Sequence, residues 1–254
     1  MPESSLPWVL LPGWGMPAAA MQPLANALAV EQPSVPVRLL DWPSDPKIWQ
    51  LAAQGDSLPL LQCLQNMHPE PAIWLGWSLG GLVLGQLLQQ ATLNTSIKGA
   101  VCLGMGPAFV QQPPLMCGLH PSELKLFHRN FQRDAGRAWI HFMNWQLQVE
   151  SHASAAAELI AMASGPALLP QDSLQSGLVL LQQLDNSQVL QQPPCPLLFL
   201  RGAQDPLCPD WQQLPQDFPD VSWSVIPDAG HLPWLEQPEA LVDQLSRWRR
   251  SQGL

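Results

Sequence analysis

The stretch from Ala72 to Leu88 carries no charged residue, and a serine between glycines interrupts it. A short apolar run leads into Gly76-Trp77-Ser78-Leu79-Gly80-Gly81, and a second apolar run follows. This order predicts a buried strand, a sharp turn and a helix, because small residues around the serine permit a tight reversal of the chain. Such a turn presents the serine hydroxyl at the end of the strand, above the helix N-terminus.

Apolar runs that end in glycine or polar turns recur along the chain and alternate with helical segments. Helical spacing of apolar residues follows Pro17, recurs around Leu58 to Met67 and closes the chain at Pro238 to Arg250. The alternation predicts an α/β fold with a mostly parallel sheet and helices on both faces. The runs predicted as strands are Pro7 to Leu11, Val35 to Leu40, Ala72 to Gly76, Ile97 to Leu103, Pro196 to Arg201 and Val221 to Ile226.

The strand pattern is absent from about Pro113 to Gln192, where helical segments rich in Leu, Ala and Gln follow one another. We therefore expect a core formed by residues 1–112 and 193–254, with residues 113–192 inserted as a helical cap. An insertion between the fourth and fifth strands would lie over the carboxyl edge of the sheet, where ligands of open α/β sheets bind.

Charge and cysteine usage exclude several classes of function. The 254 residues include 11 Lys and Arg against 20 Asp and Glu, a net charge of −9, which disfavours nucleic acid and anionic membranes as partners. The five cysteines lack metal-ligand spacing and their number is odd, so we expect no disulfide framework and no metal site. The N-terminus has no signal-peptide pattern, and we expect a cytoplasmic protein.

A serine hydroxyl becomes a nucleophile when a histidine accepts its proton and a carboxylate orients that histidine. His231 follows the last predicted strand, and Asp205 follows the one before it. The chain order Ser78, Asp205, His231 resembles that of α/β-hydrolases, with each residue at the carboxyl end of a strand. Asp228 is the alternative acid; it could instead be a turn residue.

The developing oxyanion of acyl transfer needs hydrogen-bond donors near the serine. The backbone N–H of Leu79, directly after the serine, is one candidate. The second is expected in the loop after the first strand, where Pro12 has no N–H, so we assign Trp14. Trp14 and Trp77 both neighbour the proposed reaction centre, and we expect their indoles to line an apolar acyl channel.

Four of the basic residues recur at every fourth position, which predicts a stripe along one face of one long helix. The stripe consists of Lys125, Arg129, Arg133 and Arg137. One interpretation is a solvated helix face. The other is a docking surface for an acidic partner, since local charge prevails over net charge when salt screens beyond about 8 to 10 Å.

The serine segment, residues 73–83, resembles that of the pimeloyl-carrier-protein methyl ester esterases, the BioH family, including the tryptophan before the serine. Residues 11–16 resemble the oxyanion loop of that family, and residues 177–185 with 190–193 resemble the end of its cap. The resemblance implies an α/β-hydrolase fold and a cofactor-independent hydrolysis of the methyl ester on a pimeloyl chain carried by acyl carrier protein, in biotin biosynthesis. It also implies that Phe142 contacts substrate and that Arg137 contacts the carrier.

Two other functions stay open at this point. The first is a different α/β-hydrolase, such as an esterase for small esters or a hydrolase of C–C bonds. The second is a non-catalytic binding protein on the same fold, since fold does not fix function. In each case we expect a monomer.

Overall fold

The computed structural model describes residues 6–147, 157, 159, 161, 169–208 and 214–254. Its centre is a six-stranded, fully parallel sheet with the strand order β2-β1-β3-β4-β5-β6. All six predicted strands are confirmed, as is the α/β-hydrolase fold class. The strands are β1 (Trp8–Leu11), β2 (Val37–Leu39), β3 (Ala72–Trp77), β4 (Ile97–Leu103), β5 (Leu197–Gly202) and β6 (Ser222–Ile226).

Helices connect these strands. In the core they are α1 (Gln22–Glu31), α2 (Pro46–Ala53), α3 (Leu58–Met67) and α4 (Leu79–Gln89). Between β4 and β5 lie α5 (Pro121–Arg133), α6 (Ala135–Gln146), α7 (Gln171–Gln183) and α8 (Ser187–Gln191). Near the C-terminus are α9 (Leu214–Asp217), α10 (Pro233–Glu236) and α11 (Pro238–Ser251), and short 3₁₀ turns span Ala18–Met21 and Asn94–Ser96.

The strand order explains why both faces of the sheet are covered. The chain passes from β1 through α1 to one side of β1, whereas it passes from β3 through α4 to the opposite side of β3. Right-handed crossovers, the rule for parallel connections, therefore place α1 and α4 on opposite faces. In agreement, α1 packs against α11, and α4 packs against α3 and α7. All six residues of β3 are buried between these layers.

Helix α2 was not among the predicted helices, although its start follows a known pattern. Asp45 is the N-cap, and its carboxylate accepts a hydrogen bond from the backbone N–H of Lys47 at 2.9 Å. Pro46 follows as the first helical residue, where its missing N–H costs nothing. The preceding prolines at 36 and 43 suggest a loop, and they obscure this signal in the sequence.

The prediction of one long helix for the basic stripe is wrong. The chain breaks at Asp134, which ends α5 and caps α6. Its backbone leaves the helical region, with φ −155° and ψ 90°, and its side chain accepts from the N–H of Arg137 at 3.0 Å. Aspartate favours this N-cap role over a helix interior, so Arg137 lies on a different helix from Arg129 and Arg133.

The predicted division into a core and a cap at residues 113–192 stays a prediction. Part of that cap, residues 148–156, 158, 160 and 162–168, lies outside the described residues. All five cysteines are free thiols. No helix in the described ranges is both long and apolar enough to cross a bilayer.

Candidate active site

Ser78 lies in a strained turn between β3 and α4. Its φ of 54° and ψ of −119° are unusual for a residue with a side chain, and such strain persists where the surrounding structure enforces it. A Cβ at Gly76 would lie 2.3 Å from the backbone carbon of Gly80, so the turn cannot close around a larger residue. The geometry is that of a nucleophile elbow, as the motif predicts.

The elbow also touches the loop that follows β1. A Cβ at Gly80 would lie 2.5 Å from the carbonyl oxygen of Leu11 and 2.6 Å from that of Pro12. A Cβ at Gly13 would lie 3.3 Å from the Cβ of Ser78. The glycines therefore allow this loop to pass directly beside the serine, which is the position required of an oxyanion loop.

His231 and Asp205 form a buried pair. The Nδ1 atom of His231 lies 3.0 Å from Oδ1 and 2.9 Å from Oδ2 of Asp205, and both side chains are fully buried. Oδ1 also accepts from the backbone N–H groups of Leu207 and Cys208, at 2.9 and 3.1 Å. The carboxylate thus fixes the imidazole orientation. Nε2 is buried and has no hydrogen-bond partner among the described residues, so it is the atom left to accept the proton of a serine hydroxyl.

The alternative acid, Asp228, does not contact His231 through a hydrogen bond or ion pair in the described structure. It is exposed and adopts a left-handed backbone conformation, with φ 55°, in the turn after β6. Aspartate tolerates this conformation better than most residues. The geometry therefore assigns Asp228 to the turn and Asp205 to the histidine.

Backbone contacts hold the loops of the acid and the histidine together. The N–H of Gln204 donates to the carbonyl of Ala229 at 2.9 Å. A Cβ at Gly202 would lie 2.2 Å from the carbonyl oxygens of Ala229 and Gly230, so only glycine fits. The buried guanidinium of Arg201 donates to the carbonyl of Gly202 at 3.0 Å. The end of β5 and the loops after β5 and β6 therefore contact one another in this part of the site.

Three further residues support His231. The sequence predicts a different role for Trp77, the contact with substrate, and does not single out Trp234 or Glu236. The indole Nε1 of Trp77 donates to the carbonyl oxygen of His231 at 3.1 Å, and its ring packs edge-on against Trp234 at 4.8 Å. The buried carboxylate of Glu236 accepts from the N–H of Gly230. The sequence signal for Glu236 is its place on the short helix five residues after the histidine. Because Trp77 is fully buried, its direct contact with substrate stays a prediction.

Two backbone N–H groups, one in the oxyanion loop and one at the start of the helix after Ser78, are candidate donors for the oxyanion. In the turns and loops of the described chain, the backbone N–H groups of Trp14 and Leu79 donate to no carbonyl. Leu79 is the first residue of α4, where N–H groups have no intrahelical acceptor. The indole of Trp42 donates to the carbonyl of Gly13 at 3.0 Å and so ties the loop to the segment after β2.

The side chain of Trp14 lies within an aromatic cluster contributed by α5 and α6. Its ring centroid is 5.1 to 5.8 Å from four other rings, and it is 2% exposed. Phe142 is the nearest of the four and is also buried. Two of the three predicted substrate-contacting residues, Trp14 and Phe142, therefore lie at one apolar junction between the oxyanion loop and the helical region. The other three rings belong to Phe127, Phe131 and Trp139.

The four basic residues are all exposed, although the helix break separates Arg137 from the others. Arg133 and Arg137 still line the same open cavity of about 550 Å³, with His141 and Asp134 at its wall. The side chains of Leu126 and Ile140 on the same helices are about half exposed or more, at 50% and 60%. The surface formed by α5 and α6 is therefore cationic with apolar side chains among the charges.

Within the described part of the chain, no group of three or more His, Cys, Asp or Glu side chains is arranged to hold a metal ion. Burial raises the pKa of the Cys102 and Cys195 thiols to about 12, which keeps both protonated and unreactive.

Comparison with known proteins places this architecture in a class. Residues 8–244 match the model of the alpha/beta hydrolase family, and the chain belongs to that family. Its fold is shared with an esterase from Exiguobacterium antarcticum, with a TM-score of 0.77 at 17% identity over 97% of this chain and 92% of that one.

Curated relatives of this chain include methyl ester esterases. The chain is 31% identical to the pimeloyl-[acyl-carrier protein] methyl ester esterase of Pectobacterium atrosepticum, over 93% of this chain and 91% of the relative. It is 29% identical to the enzyme of the same name from Vibrio campbellii, over 93% and 92%. The resemblance that the serine segment and the oxyanion loop indicate is thereby confirmed.

Proposed function

We propose that this protein is a serine carboxylesterase that hydrolyses the methyl ester of a pimeloyl chain borne by acyl carrier protein, a reaction of biotin biosynthesis. The relatives of that name, matched over more than nine tenths of the chain, support the substrate class. The observation that carries the chemistry is the buried pairing of His231 with Asp205, which leaves Nε2 without a hydrogen-bond partner among the described residues. The imidazole ring lies 5.5 Å from the indole of Trp77, the residue before Ser78.

In the proposed mechanism, the Oγ atom of Ser78 attacks the ester carbonyl while Nε2 of His231 accepts its proton. The carbonyl oxygen becomes an oxyanion between the N–H groups of Leu79 and Trp14. Collapse of this intermediate breaks the bond to the methoxy oxygen, which leaves as methanol with the proton from His231. Water then attacks the acyl-enzyme with His231 again as base, and the carboxylic acid and free Ser78 result. Asp205 keeps the imidazole in the required orientation throughout.

The carrier is the acidic partner that the cationic surface fits. Lys125, Arg129, Arg133 and Arg137 are exposed in a chain of net charge −9, so this is a local exception to a repulsive field. Arg133 and Arg137 share an open cavity of about 550 Å³ at the surface. We expect the carrier to dock on α5 and α6 and its acyl chain to reach the aromatic junction near Trp14 and Phe142.

Free thiols at all five cysteines agree with the proposed cytoplasmic location. We also propose that the active unit is a monomer, since each residue of the proposed mechanism comes from one chain. Size-exclusion chromatography with light scattering checks this statement.

Mass spectrometry of the carrier tests the proposed function. Purified protein is incubated with pimeloyl-carrier methyl ester and, separately, with dimethyl pimelate. We expect the carrier-bound ester to lose one methylene unit in mass, with a kcat/KM above that for the free ester, and Ser78→Ala to abolish the change. Cleavage of free esters alone would identify an esterase for small esters instead, and no cleavage of either would contradict an esterase.

A further inference from the structure

The side chain of Trp14 connects the oxyanion loop to α7, a helix of the inserted region. Its indole Nε1 donates to the backbone carbonyl oxygen of Leu174 at 2.8 Å, across 160 positions of sequence, and the bond is buried. Leu174 lies in the first turn of α7. A residue whose backbone is assigned to the oxyanion is therefore anchored through its side chain to a different part of the molecule.

Two glycines make this contact possible, one on each side of it. A Cβ at Gly177 of α7 would lie 2.7 Å from Cδ1 and 2.9 Å from Nε1 of Trp14. A Cβ at Gly15 of the loop, which has φ +67°, would lie 2.5 Å from two ring atoms of Trp139 in α6. The indole of Trp14 thus occupies the space beside Gly177 of α7. The indole of Trp139 in α6 occupies the space beside Gly15 of the loop.

We infer that the helices between β4 and β5 hold the oxyanion donor in place, and that the Trp14 side chain is the positioning residue that transmits their hold. The loop has a second anchor in the core, the bond from Trp42 to Gly13, but that anchor lies one residue before the donor. Donor position is thereby coupled to cap position, so a shift of α7 relative to the sheet moves the N–H of Trp14. The inference rests on the proposed esterase mechanism.

Replacement of Trp14 by Phe tests the contact. Phenylalanine keeps an aromatic ring in the cluster but cannot donate to Leu174. We expect kcat for a small ester to fall about tenfold and KM to change less than about twofold. The loss in kcat is smaller than the ~10²–10³-fold loss expected when a whole oxyanion donor is removed. Rates are normalised by titration of Ser78 with a fluorophosphonate, so that a smaller folded fraction does not count as slower chemistry.

The matched control is Trp8→Phe. Trp8 is also fully buried, and its indole Nε1 donates one hydrogen bond, to Gln32 at 3.2 Å, but it lies at the opposite end of β1 from the loop. We expect this variant to lose thermal stability without a change in kcat per labelled site. If both variants lose kcat equally, or if Trp14→Phe stays within about twofold of the unaltered protein, the positioning role is wrong.

A pair of ketones distinguishes positioning from general damage. A trifluoromethyl ketone adds to the serine and places an oxyanion in the hole, whereas the methyl ketone of the same chain binds largely as the ground state. We expect Trp14→Phe to weaken the first by the same factor as kcat/KM and to leave the second unchanged. Equal weakening of both would contradict the inference.

The variant Gly177→Ala approaches the same contact from the cap. The added methyl group displaces the indole, and we expect a loss of kcat of about 100-fold, as an ångström-scale misplacement produces. The double variant that combines Trp14→Phe with Gly177→Ala should have a kcat no lower than that of Gly177→Ala alone, because both changes act through one contact. Additive losses would overturn the inference. Failure of the unaltered protein to label at Ser78 would instead overturn the proposed function.

Discussion

The two sides of Ser78 are built in different ways. On the proton-transfer side, His231 and Asp205 are held by loops after β5 and β6 that bond to each other and to Trp77 at the elbow. On the oxyanion side, the loop after β1 has one anchor in the core, Trp42, and one in α7. The supports of the first side come from the sheet, from the loops after β5 and β6 and from α10. The second side also depends on the helices between β4 and β5.

This difference separates two properties of the enzyme. Proton transfer should persist in any state in which the sheet is folded, because its supports do not involve α5, α6 or α7. Stabilisation of the oxyanion should respond to whatever binds or moves those helices. A carrier that docks on α5 and α6 would therefore affect the stabilisation of the oxyanion and not proton transfer.

The largest expected effect comes from Ser78→Ala, which removes the nucleophile shared by both sides. We expect the hydrolysis rate of p-nitrophenyl butyrate to fall by about 10⁶-fold, to the level of the remaining donors and imidazole. Ser251→Ala is the control, since Ser251 lies at the far end of α11. Substantial turnover by a folded Ser78→Ala variant would contradict the assignment.

The proton-transfer side is tested by Asp205→Asn. The amide keeps the size of the side chain but favours the wrong imidazole tautomer, and we expect kcat to fall about 10³–10⁴-fold. The matched variant is Asp228→Asn, at an exposed turn where Asn tolerates the left-handed backbone. Equal losses in the two variants would show that the hydrogen-bonded pair is not the functional one.

The proposed docking surface on α5 and α6 is tested by replacement of Arg129, Arg133 and Arg137 with Ala. We expect kcat/KM for the carrier-bound ester to fall about tenfold at low salt, and the difference to shrink as salt is added, whereas the rate on a small ester stays the same. A control variant removes three exposed charges elsewhere, at Arg38, Lys47 and Arg250. Equal effects of the two triple variants would exclude a specific surface.

The smallest expected effect is on stability and compares a histidine of each region. Burial lowers the pKa of His128 in α5 and of His68 after α3 below the ordinary value of 6.5. The unfolded chain therefore binds protons more readily than the folded one as pH falls through 6.5, and stability present above this pH is lost below it. The free energy of unfolding, measured with urea, should fall between pH 7.5 and pH 5.0. We expect this fall to be smaller for His128→Gln and for His68→Gln than for the unaltered protein.

The sequence predicts the core better than the helical region for a physical reason. Each buried strand is a continuous apolar run that ends at a turn, so its position can be found locally, and the motif residues lie at those ends. Asp134, by contrast, is one polar residue within an otherwise helical pattern, and its capping role was missed. The four-residue spacing of the basic residues by itself predicts a helix that continues through Asp134.

The supports of the site were the least predictable from sequence. Trp14 and Leu174 lie 160 positions apart, and a contact at this separation has no local signal in the sequence. Glu236 and Trp77 support His231 through backbone atoms, which have no side-chain signature in the sequence. The sequence favours Asp205 over Asp228 through the order of the three residues, but the hydrogen bond that joins Asp205 to His231 is a tertiary contact.

A crystal structure of the protein with a trifluoromethyl ketone bound tests the central assignment most directly. We expect a covalent bond to Oγ of Ser78, with the oxyanion within hydrogen-bond distance of the N–H groups of Leu79 and Trp14. We also expect Nε2 of His231 at the serine oxygen, and the indole of Trp14 still bonded to Leu174. An oxyanion that points to solvent, or an imidazole directed away from the serine, would contradict this assignment.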